Sequence, residues 1–328
     1  MHHGLTRRSL TGLLASSALA CALPVRAHSY PSRSLRMVLP VGTGGGGDTL
    51  GRVIAEQLST QIRQPVIVEN KPGADGLIAM QSLLSAPADG YTMLLIGPQP
   101  MVFNPLLRTN LPYTPTDLVP VIGVSRAWTV LVAAANSRFS TLADLQTAMR
   151  KEPEAVSLGT SGLSYQVGAT LLGTKMGGRF RHVSYRSFPQ ILNDLNVGVL
   201  DLALVDTTPV VPLAAAGKLR VLASASKERE PVLADVPTVR ESGIDFDFAL
   251  WTALAVRAGT PGEIVRSLEA ELRKTLTGNA LRDFAQRLGT TRLSPVSGSE
   301  IDAEVASGLA RFKDPVAEIA AQIGVEKR

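Results

Sequence analysis

Short apolar segments alternate with amphipathic segments along most of the chain. Residues 35–41 (LRMVLPV) form an apolar run that is typical of a buried strand, and residues 48–62 place their apolar side chains on one helical face. The first series continues with a strand over 65–70, a helix over 76–86 and a strand over 91–97. Helices that alternate with apolar strands predict a mostly parallel sheet covered on both faces.

A second series begins after a long apolar strand predicted over 127–135. Its strands are predicted over 155–161, 179–185, 201–206 and 219–226, and its helices over 141–150, 165–176, 188–198 and 209–217. Another apolar run covers 248–258, and two helices then close the chain, over 259–277 and 298–323. Pro261 suits a first helical turn, whereas Pro315 predicts a break or a kink.

The two series predict an α/β fold with two lobes and a cleft between them. The last helices return to the first series, so we expect lobe 1 to contain residues 28–124 and 253–328, and lobe 2 to contain residues 125–252. In open parallel sheets, ligands bind outside the carboxyl ends of the strands. The glycine-rich stretch 41–48 (VGTGGGGD) follows the first strand and therefore lies in that region.

The spacing of the glycines admits two kinds of ligand. Gly42, Gly44 and Gly47 satisfy G-x-G-x-x-G between a strand and a helix, and Glu69 follows about 20 residues later, as in a dinucleotide-binding fingerprint. Asp48 argues against a diphosphate, because its carboxylate already interacts with the positive end of the helix. We expect the loop to bind a smaller, weakly charged anion such as a carboxylate. A glycine turn without a ligand is the simpler alternative.

The first residues have the pattern of an export signal. Arg7 and Arg8 precede an apolar stretch over 10–23 that is too short to span a bilayer, and small residues predict cleavage after Ala27. An N-terminal membrane anchor is the alternative. The arginine pair also fits twin-arginine export. Cys21 is the single cysteine and lies within the signal, so an exported chain without a disulfide is expected, which fits the bacterial periplasm.

Charge and motifs argue against several functions. The formal net charge of +5 includes three arginines of the signal, and the remaining basic residues form no stripe for nucleic acid. Beyond the signal, the histidines are His28 and His182, and neither H-E-x-x-H nor G-x-S-x-G occurs. We therefore expect no nucleic-acid partner, no metal, no cofactor and no catalytic residue, and thus not an enzyme.

Nine segments in one order and spacing resemble a known family. They include YPSRSLRMVLPVGTGGGGDTLGRVIAEQL, QPVIVENKPGADGLIA, HVSYRSFPQILNDL and LADVPTVRESGI. From about residue 30 onward, the chain resembles the solute-binding proteins of tripartite tricarboxylate transporters, the Bug-type periplasmic receptors. The resemblance implies a type II periplasmic-binding-protein fold, in which two doubly wound sheets are joined by two crossing strands.

The resemblance also implies a function. Such a receptor closes around one small organic carboxylate and delivers it to membrane transporter subunits, and we expect this one to be a monomer in the periplasm. Two other hypotheses stay open. One is an exported NAD-type oxidoreductase, which twin-arginine export would support. The other is an orphan receptor that feeds a signalling partner and shares every sequence feature with the transport receptor.

The resemblance places the ligand between two loops that each precede a helix, 41–48 and 159–165 (GTSGLSY). Two helix N-termini then face one anion, an arrangement that their unpaired N–H groups and aligned dipoles favour. The expected ligand-binding residues are Val41, Thr43, Gly44, Gly45, Gly46, Asp48, Gln99, Ser161, Gly162, Ser164, Tyr165 and Asp206.

These residues have different expected roles. Backbone groups at 43–46 bind the anion, while Asp48 orders the loop. Gln99 either bonds the distal end of the ligand or faces water. Asp206 either receives an amino group, orients water or caps the helix near Pro209.

Three further residues each have two interpretations. Trp251 either forms a wall of the pocket or belongs to the core. Tyr185 and Arg186 follow a second-lobe strand, and Arg186 either attracts anions or is a solvated charge at the rim.

The chain departs from the family at the loops themselves. Val41, Gly42 and Thr43 replace an aromatic residue, a proline and a small residue, and Tyr165 replaces a small polar residue. The identity of the solute therefore does not follow from the resemblance.

Overall fold

The computed structural model describes residues 30–44, 46–288 and 292–323, without the side chains of residues 287–288 and 322–323. Residues 33–328 form one compact unit, and the architecture given below is that of this unit. The predicted export signal over 1–27, with its cleavage site after Ala27, lies outside the described residues, as does Gly45.

Strands and helices alternate through both series, as predicted. The strands of the described residues are β1 Leu35–Leu39, β2 Val66–Asn70, β3 Thr92–Ile96, β4 Leu118–Ala134, β5 Ser157–Thr160, β6 Arg181–Ser184, β7 Leu202–Asp206, β8 Leu219–Ser224, β9 Ala249–Arg257 and β10 Arg292–Leu293. The helices are α1 Gly46–Ile62, α2 Leu77–Leu84, α3 Asn104–Leu107, α4 Leu142–Lys151, α5 Leu163–Lys175, α6 Phe188–Asn196, α7 Thr207–Ala215, α8 Gly262–Thr277, α9 Asn279–Leu288 and α10 Gly298–Ile323.

The strands are hydrogen-bonded in the order β2-β1-β3-β9-β4-β7-β5-β6, and β8 and β10 also pair with β4. At one end β1 is parallel to β2 and β3, and at the other β5 is parallel to β6 and β7. Between them, β9 is antiparallel to β3 and β4, and β4 is antiparallel to β7 and β8. The predicted plan of two parallel series joined by two crossing strands is confirmed, and the crossing strands β4 and β9 run in opposite directions.

β4 joins the two series because it changes its neighbours along its length. Its first part, up to Trp128, pairs with β9, and from Thr129 onward it pairs with β7. The sequence predicts a strand only over 127–135, because Pro120 and Gly123 interrupt the apolar pattern, and the register with β9 shifts beside both residues. The expected lobe boundaries, after residues 124 and 252, fall within β4 and β9.

The C-terminal helices differ from the prediction at two places. Pro315 lies inside α10 and does not end it, so of the two predicted effects, a break or a kink, the break is wrong. Proline removes one helical hydrogen bond, but Val316 and Ile319 are buried on the following turns and keep this part of the helix packed. Helix α9 was not predicted, and it buries Leu281 and Phe284.

Four phenylalanines form an aromatic cluster between the two series. The ring of Phe248 lies 6.1 Å from that of Phe103 and 6.0 Å from those of Phe246 and Phe312. Helix α5 passes directly over Phe248, since a Cβ on Gly168 would lie 2.7 Å from its ring. The cluster therefore packs a helix of the second series against elements of the first.

Candidate functional site

The glycine loop connects β1 to α1, and α1 begins two residues earlier than predicted. Gly46 and Gly47 therefore form part of its first turn, where backbone N–H groups have no partner within the helix. Gly44 has a φ of +82°, a left-handed conformation that glycine adopts without a steric penalty. The residues exposed on this loop are Gly42, Thr43, Gly44 and Gly46, whereas Val41 is half-buried.

Asp48 lies in the first turn of α1 and fixes the conformation of this loop by hydrogen bonds. Its buried carboxylate accepts hydrogen bonds from the N–H of Gly44 at 2.8 Å, from Arg52 at 3.1 Å and from the amide of Asn70 at 2.8 Å. These bonds, that of Arg52 first, lower the pKa of Asp48 to about 2. Asn70 also donates to the carbonyl oxygen of Val41 at 3.1 Å. The amide of Asn70 is therefore hydrogen-bonded at both ends of the loop, to Val41 at its start and to Asp48 at its end.

These hydrogen bonds argue against a dinucleotide as the ligand of the loop. The N–H of Gly44, a glycine of the fingerprint, already donates to Asp48. Glu69, which the fingerprint would place at a ribose, is bonded to Arg36 at 3.1 Å. A diphosphate at α1 would lie beside the ionised carboxylate of Asp48, where like charges repel. The geometry favours a small anion over a diphosphate.

Gln99 follows β3 and starts the π-helical turn Gln99–Phe103. Its amide donates to Asp75 Oδ1 at 3.1 Å, and Arg108 donates to the other oxygen of Asp75 at 2.6 Å. Asp75 therefore orients the side chain of Gln99. Asp75, Asn70 and Arg52 are not among the residues predicted from the sequence. Two signals pointed to them: the segment NKPGADG, which resembles the family, and the i,i+4 spacing of Asp48 and Arg52.

Gly162 brings the second series into contact with Gln99. A Cβ on Gly162 would lie 3.7 Å from Gln99 Oε1, and its φ of +109° is one that side-chain-bearing residues rarely adopt. Gly162 follows β5 and Gln99 follows β3, so the carboxyl ends of the two parallel series meet here. Gly162 and Gln99, one predicted site residue from each lobe, therefore lie beside each other.

The second-lobe loop is shorter than predicted. Gly159 and Thr160 belong to β5 and α5 starts at Leu163, so only Ser161 and Gly162 form the connection. Ser164 and Tyr165 lie in the first turn of α5. Gly162 is the N-cap of this helix and has no side chain with which to satisfy the first N–H groups. Helix α5 thus presents an N-terminus that its own cap residue leaves open.

Tyr165 and Asp206 form a close pair at this edge. The hydroxyl of Tyr165 donates to Asp206 Oδ2 at 2.6 Å. Burial raises the pKa of Asp206 to about 6, and burial together with the nearby carboxylate raises the pKa of Tyr165 well above its ordinary value. Asp206 occupies the N-cap position of α7 but makes no capping hydrogen bond with its side chain. The expectation that it caps the helix near Pro209 is therefore wrong.

The remaining candidates are Trp251, Tyr185 and Arg186. Trp251 is buried in β9 and belongs to the core. The hydroxyl of Tyr185 donates to Asp194 of α6 at 2.7 Å. Arg186 is exposed.

Within residues 30–44, 46–288 and 292–323, no helix is long and apolar enough to cross a membrane. The same ranges contain no group of three or more histidine, cysteine, aspartate or glutamate residues placed to hold a metal ion.

Comparison with known proteins gives a family and a fold. The family model described as "Tripartite tricarboxylate transporter family receptor" matches residues 50–306. Protein BugT of Bordetella pertussis is 30% identical over 275 residues, which are 82% of this chain and 84% of BugT.

Two solved structures are similar over nearly their whole length. The R. palustris protein Rpa4515 with adipate has a TM-score of 0.79 and 29% identity, covering 89% of this chain and 98% of that one. MatC from Rhodopseudomonas palustris with bound malate has a TM-score of 0.78 and 26% identity, covering 88% and 100%. These similarities confirm the predicted two-lobed type II fold.

Proposed function

Because this chain belongs to the receptor family of tripartite tricarboxylate transporters, we propose that it captures a small organic carboxylate between its lobes. It delivers this solute to the membrane subunits of a transporter of the same type. It works in the periplasm as a monomer and without chemical conversion of the solute.

The observation that carries this proposal is the braced glycine loop at the start of α1. Asp48 and Asn70 fix the loop by hydrogen bonds, and α1 begins at Gly46 and Gly47, where backbone N–H groups have no partner within the helix. Backbone N–H groups at a helix N-terminus, together with the helix dipole, bind anions of low charge. A carboxylate group matches this site in size and charge.

The second lobe supplies the other side of the proposed binding site, at the N-terminus of α5. Gly162 leaves the N-terminus of α5 without a side-chain cap, and it lies against Gln99 of the first lobe. A solute that contacts both helix N-termini stabilises the closed arrangement of the lobes over the open one. In this proposal Ser161, Ser164 and Tyr165 line the second-lobe side, and Val41, Thr43, Gly44 and Gly46 line the first.

The relatives support the ligand class. Rpa4515 was solved with adipate and MatC with malate, and both ligands are dicarboxylates. Each is a ligand of that protein, and the proposal takes from them only the carboxylate group.

Calorimetry on the mature protein tests the binding proposal directly. The titrants are a panel of mono-, di- and tricarboxylates and, in parallel, NAD. We expect saturable binding of at least one carboxylate and none of NAD. Tight binding of NAD without binding of any carboxylate would contradict the proposal and support the oxidoreductase alternative.

The transport step needs its own experiment. We expect a neighbouring gene pair that encodes one large and one small membrane subunit, and loss of uptake of the bound carboxylate when the receptor gene is deleted. Unchanged uptake, with a signalling gene in the same neighbourhood, would favour the orphan-receptor alternative.

A further inference from the structure

Asp206 holds one carboxylate oxygen that the fold leaves without a partner. Its Oδ2 accepts the hydroxyl of Tyr165, whereas its Oδ1 is buried and has no hydrogen-bond partner among the described residues. Buried polar atoms in folded proteins are nearly always paired, and a buried anionic oxygen without a donor is especially unfavourable. This atom therefore requires an explanation.

The position of Asp206 connects this atom to the proposed solute site. Asp206 is the last residue of β7, which is parallel to β5, so the ends of both strands lie at one edge. Its partner Tyr165 lies in the first turn of α5, one turn from Gly162, which borders Gln99 of the first lobe. Asp206 is thus joined through Tyr165 to the helix N-terminus proposed to bind the carboxylate.

A purely structural role does not explain the pair. Asp206 makes no capping hydrogen bond with its side chain, although it occupies the N-cap position of α7. Burial raises the pKa of this carboxyl to about 6, which means that its ionised form is unfavourable in the fold. Above that pH the group is mainly an anion, and Oδ1 is then an acceptor only.

We propose that Asp206 Oδ1 accepts a hydrogen bond from the bound solute, so that the solute is a carboxylate that also carries a hydroxyl or amino group. This inference rests on the proposed function and narrows its ligand class. Tyr165 is the positioning residue, because its hydroxyl fixes Oδ2 and thereby turns Oδ1 toward the solute.

Two matched series of probes test this inference by calorimetry at pH 7.5. The first is succinate, malate and aspartate, and the second is propionate, lactate and alanine; within a series only the group on one carbon changes. In the native protein, we expect the hydroxyl or amino member of one series to bind at least about tenfold more tightly than the unsubstituted member, the effect of one hydrogen bond to a charged group. The comparison of malate with aspartate, or of lactate with alanine, then decides between hydroxyl and amino.

Three variants test whether Asp206 causes the preference for the hydroxyl or amino member. Asp206→Asn presents an amide in place of the carboxylate and should reduce the preference at least about tenfold. Asp194→Asn is the matched control, since Asp194 accepts the hydroxyl of Tyr185 at 2.7 Å in a similar tyrosine–aspartate pair, and it should keep the preference. Tyr165→Phe keeps the carboxylate but removes the hydrogen bond that orients it, so the preference should weaken by less than in Asp206→Asn. Thermal unfolding confirms that each variant is folded.

Several outcomes would overturn the inference. One such outcome is equal affinity for all members of each series that binds, and another is a preference that survives Asp206→Asn. Either outcome shows that Oδ1 accepts no hydrogen bond from the solute and is bonded to water instead. Loss of the preference in Tyr165→Phe, with Asp206→Asn unaffected, assigns the recognition to the tyrosine hydroxyl. If no carboxylate binds at all, the proposed function itself fails, and this inference falls with it.

Discussion

The carboxylate of Asp48 accepts a hydrogen bond from the backbone N–H of Gly44 at 2.8 Å, so a side chain of α1 fixes the loop that precedes its own helix. The bond joins two residues that lie four positions apart in the chain, on either side of the exposed Gly46. The N–H groups of the loop are therefore oriented before a ligand arrives, which lowers the entropy that binding must overcome.

Replacement of Asp48 by asparagine should weaken carboxylate binding. The amide cannot accept from Gly44, Arg52 and Asn70 together, so the loop loses part of its fixed geometry, and we expect affinity to fall about tenfold, the effect of roughly one hydrogen bond. Calorimetry with the best carboxylate measures this loss. Asp144→Asn is the control, because Asp144 likewise accepts backbone N–H bonds from Ser140 and Thr141 at a helix start. Equal affinities of the two variants would contradict the role of Asp48.

Stability should depend on pH through Asp206. Burial raises its pKa in the folded state to about 6, from an ordinary value of 3.8, so its ionisation opposes folding and stability falls as the pH rises through 6. Between pH 5 and pH 8 the loss from this one group is about 1–2 kcal/mol. Tyr165, with its raised pKa, stays neutral in this range, and Glu230, which reaches the neighbouring Thr207, also has a raised pKa and contributes in the same direction.

Urea unfolding of ligand-free protein measures how much Asp206 contributes to the pH dependence of the unfolding free energy. The native chain should lose more unfolding free energy between pH 5 and pH 8 than Asp206→Asn, whereas Asp194→Asn should follow the native chain. Parallel curves for the native chain and Asp206→Asn would show that this carboxyl does not titrate as described.

Gly162→Ala should damage both stability and binding. Its φ of +109° and ψ of 161° lie in a region nearly exclusive to glycine, and an alanine there costs about 1–3 kcal/mol. The new Cβ would also lie 3.7 Å from Gln99 Oε1, between the two lobes. Urea unfolding and calorimetry measure the two effects.

Gly198→Ala is the matched comparison for this prediction. Gly198 also has a positive φ, of +74°, but a Cβ there would meet nothing within 4 Å. We expect it to cost about 1 kcal/mol in stability and to leave carboxylate affinity unchanged. A similar loss of affinity in both variants would mean that Gly162 acts through stability alone.

Gly168→Ala should overpack the aromatic cluster. A Cβ on Gly168 would lie 2.7 Å from the ring of Phe248, and such overpacking costs about 1–3 kcal/mol. Phe248→Leu removes part of the ring, so the double variant should lose less unfolding free energy than the sum of the two single losses. Strict additivity in urea unfolding would contradict this close packing.

Much of the fold follows from local patterns. The strands and helices of both series lie within a few residues of their predicted positions, because alternation of apolar and polar residues reports which face an element buries. The failures have specific causes. Pro120 and Gly123 hide the first half of β4, which depends on pairing with β9, and α10 continues through Pro315 because Val316 and Ile319 are buried.

The sequence by itself determined the family, the order of strands and helices and the position of a glycine loop before α1, since these depend on residues close together in the chain. Only the tertiary structure decided which side chains form hydrogen bonds with one another at the loops. Asn70 reaches Asp48 from the end of β2, and Tyr165 reaches Asp206 from α5. Such pairs form because parallel strands bring their carboxyl ends to one edge, and no local pattern records which distant partner will be there.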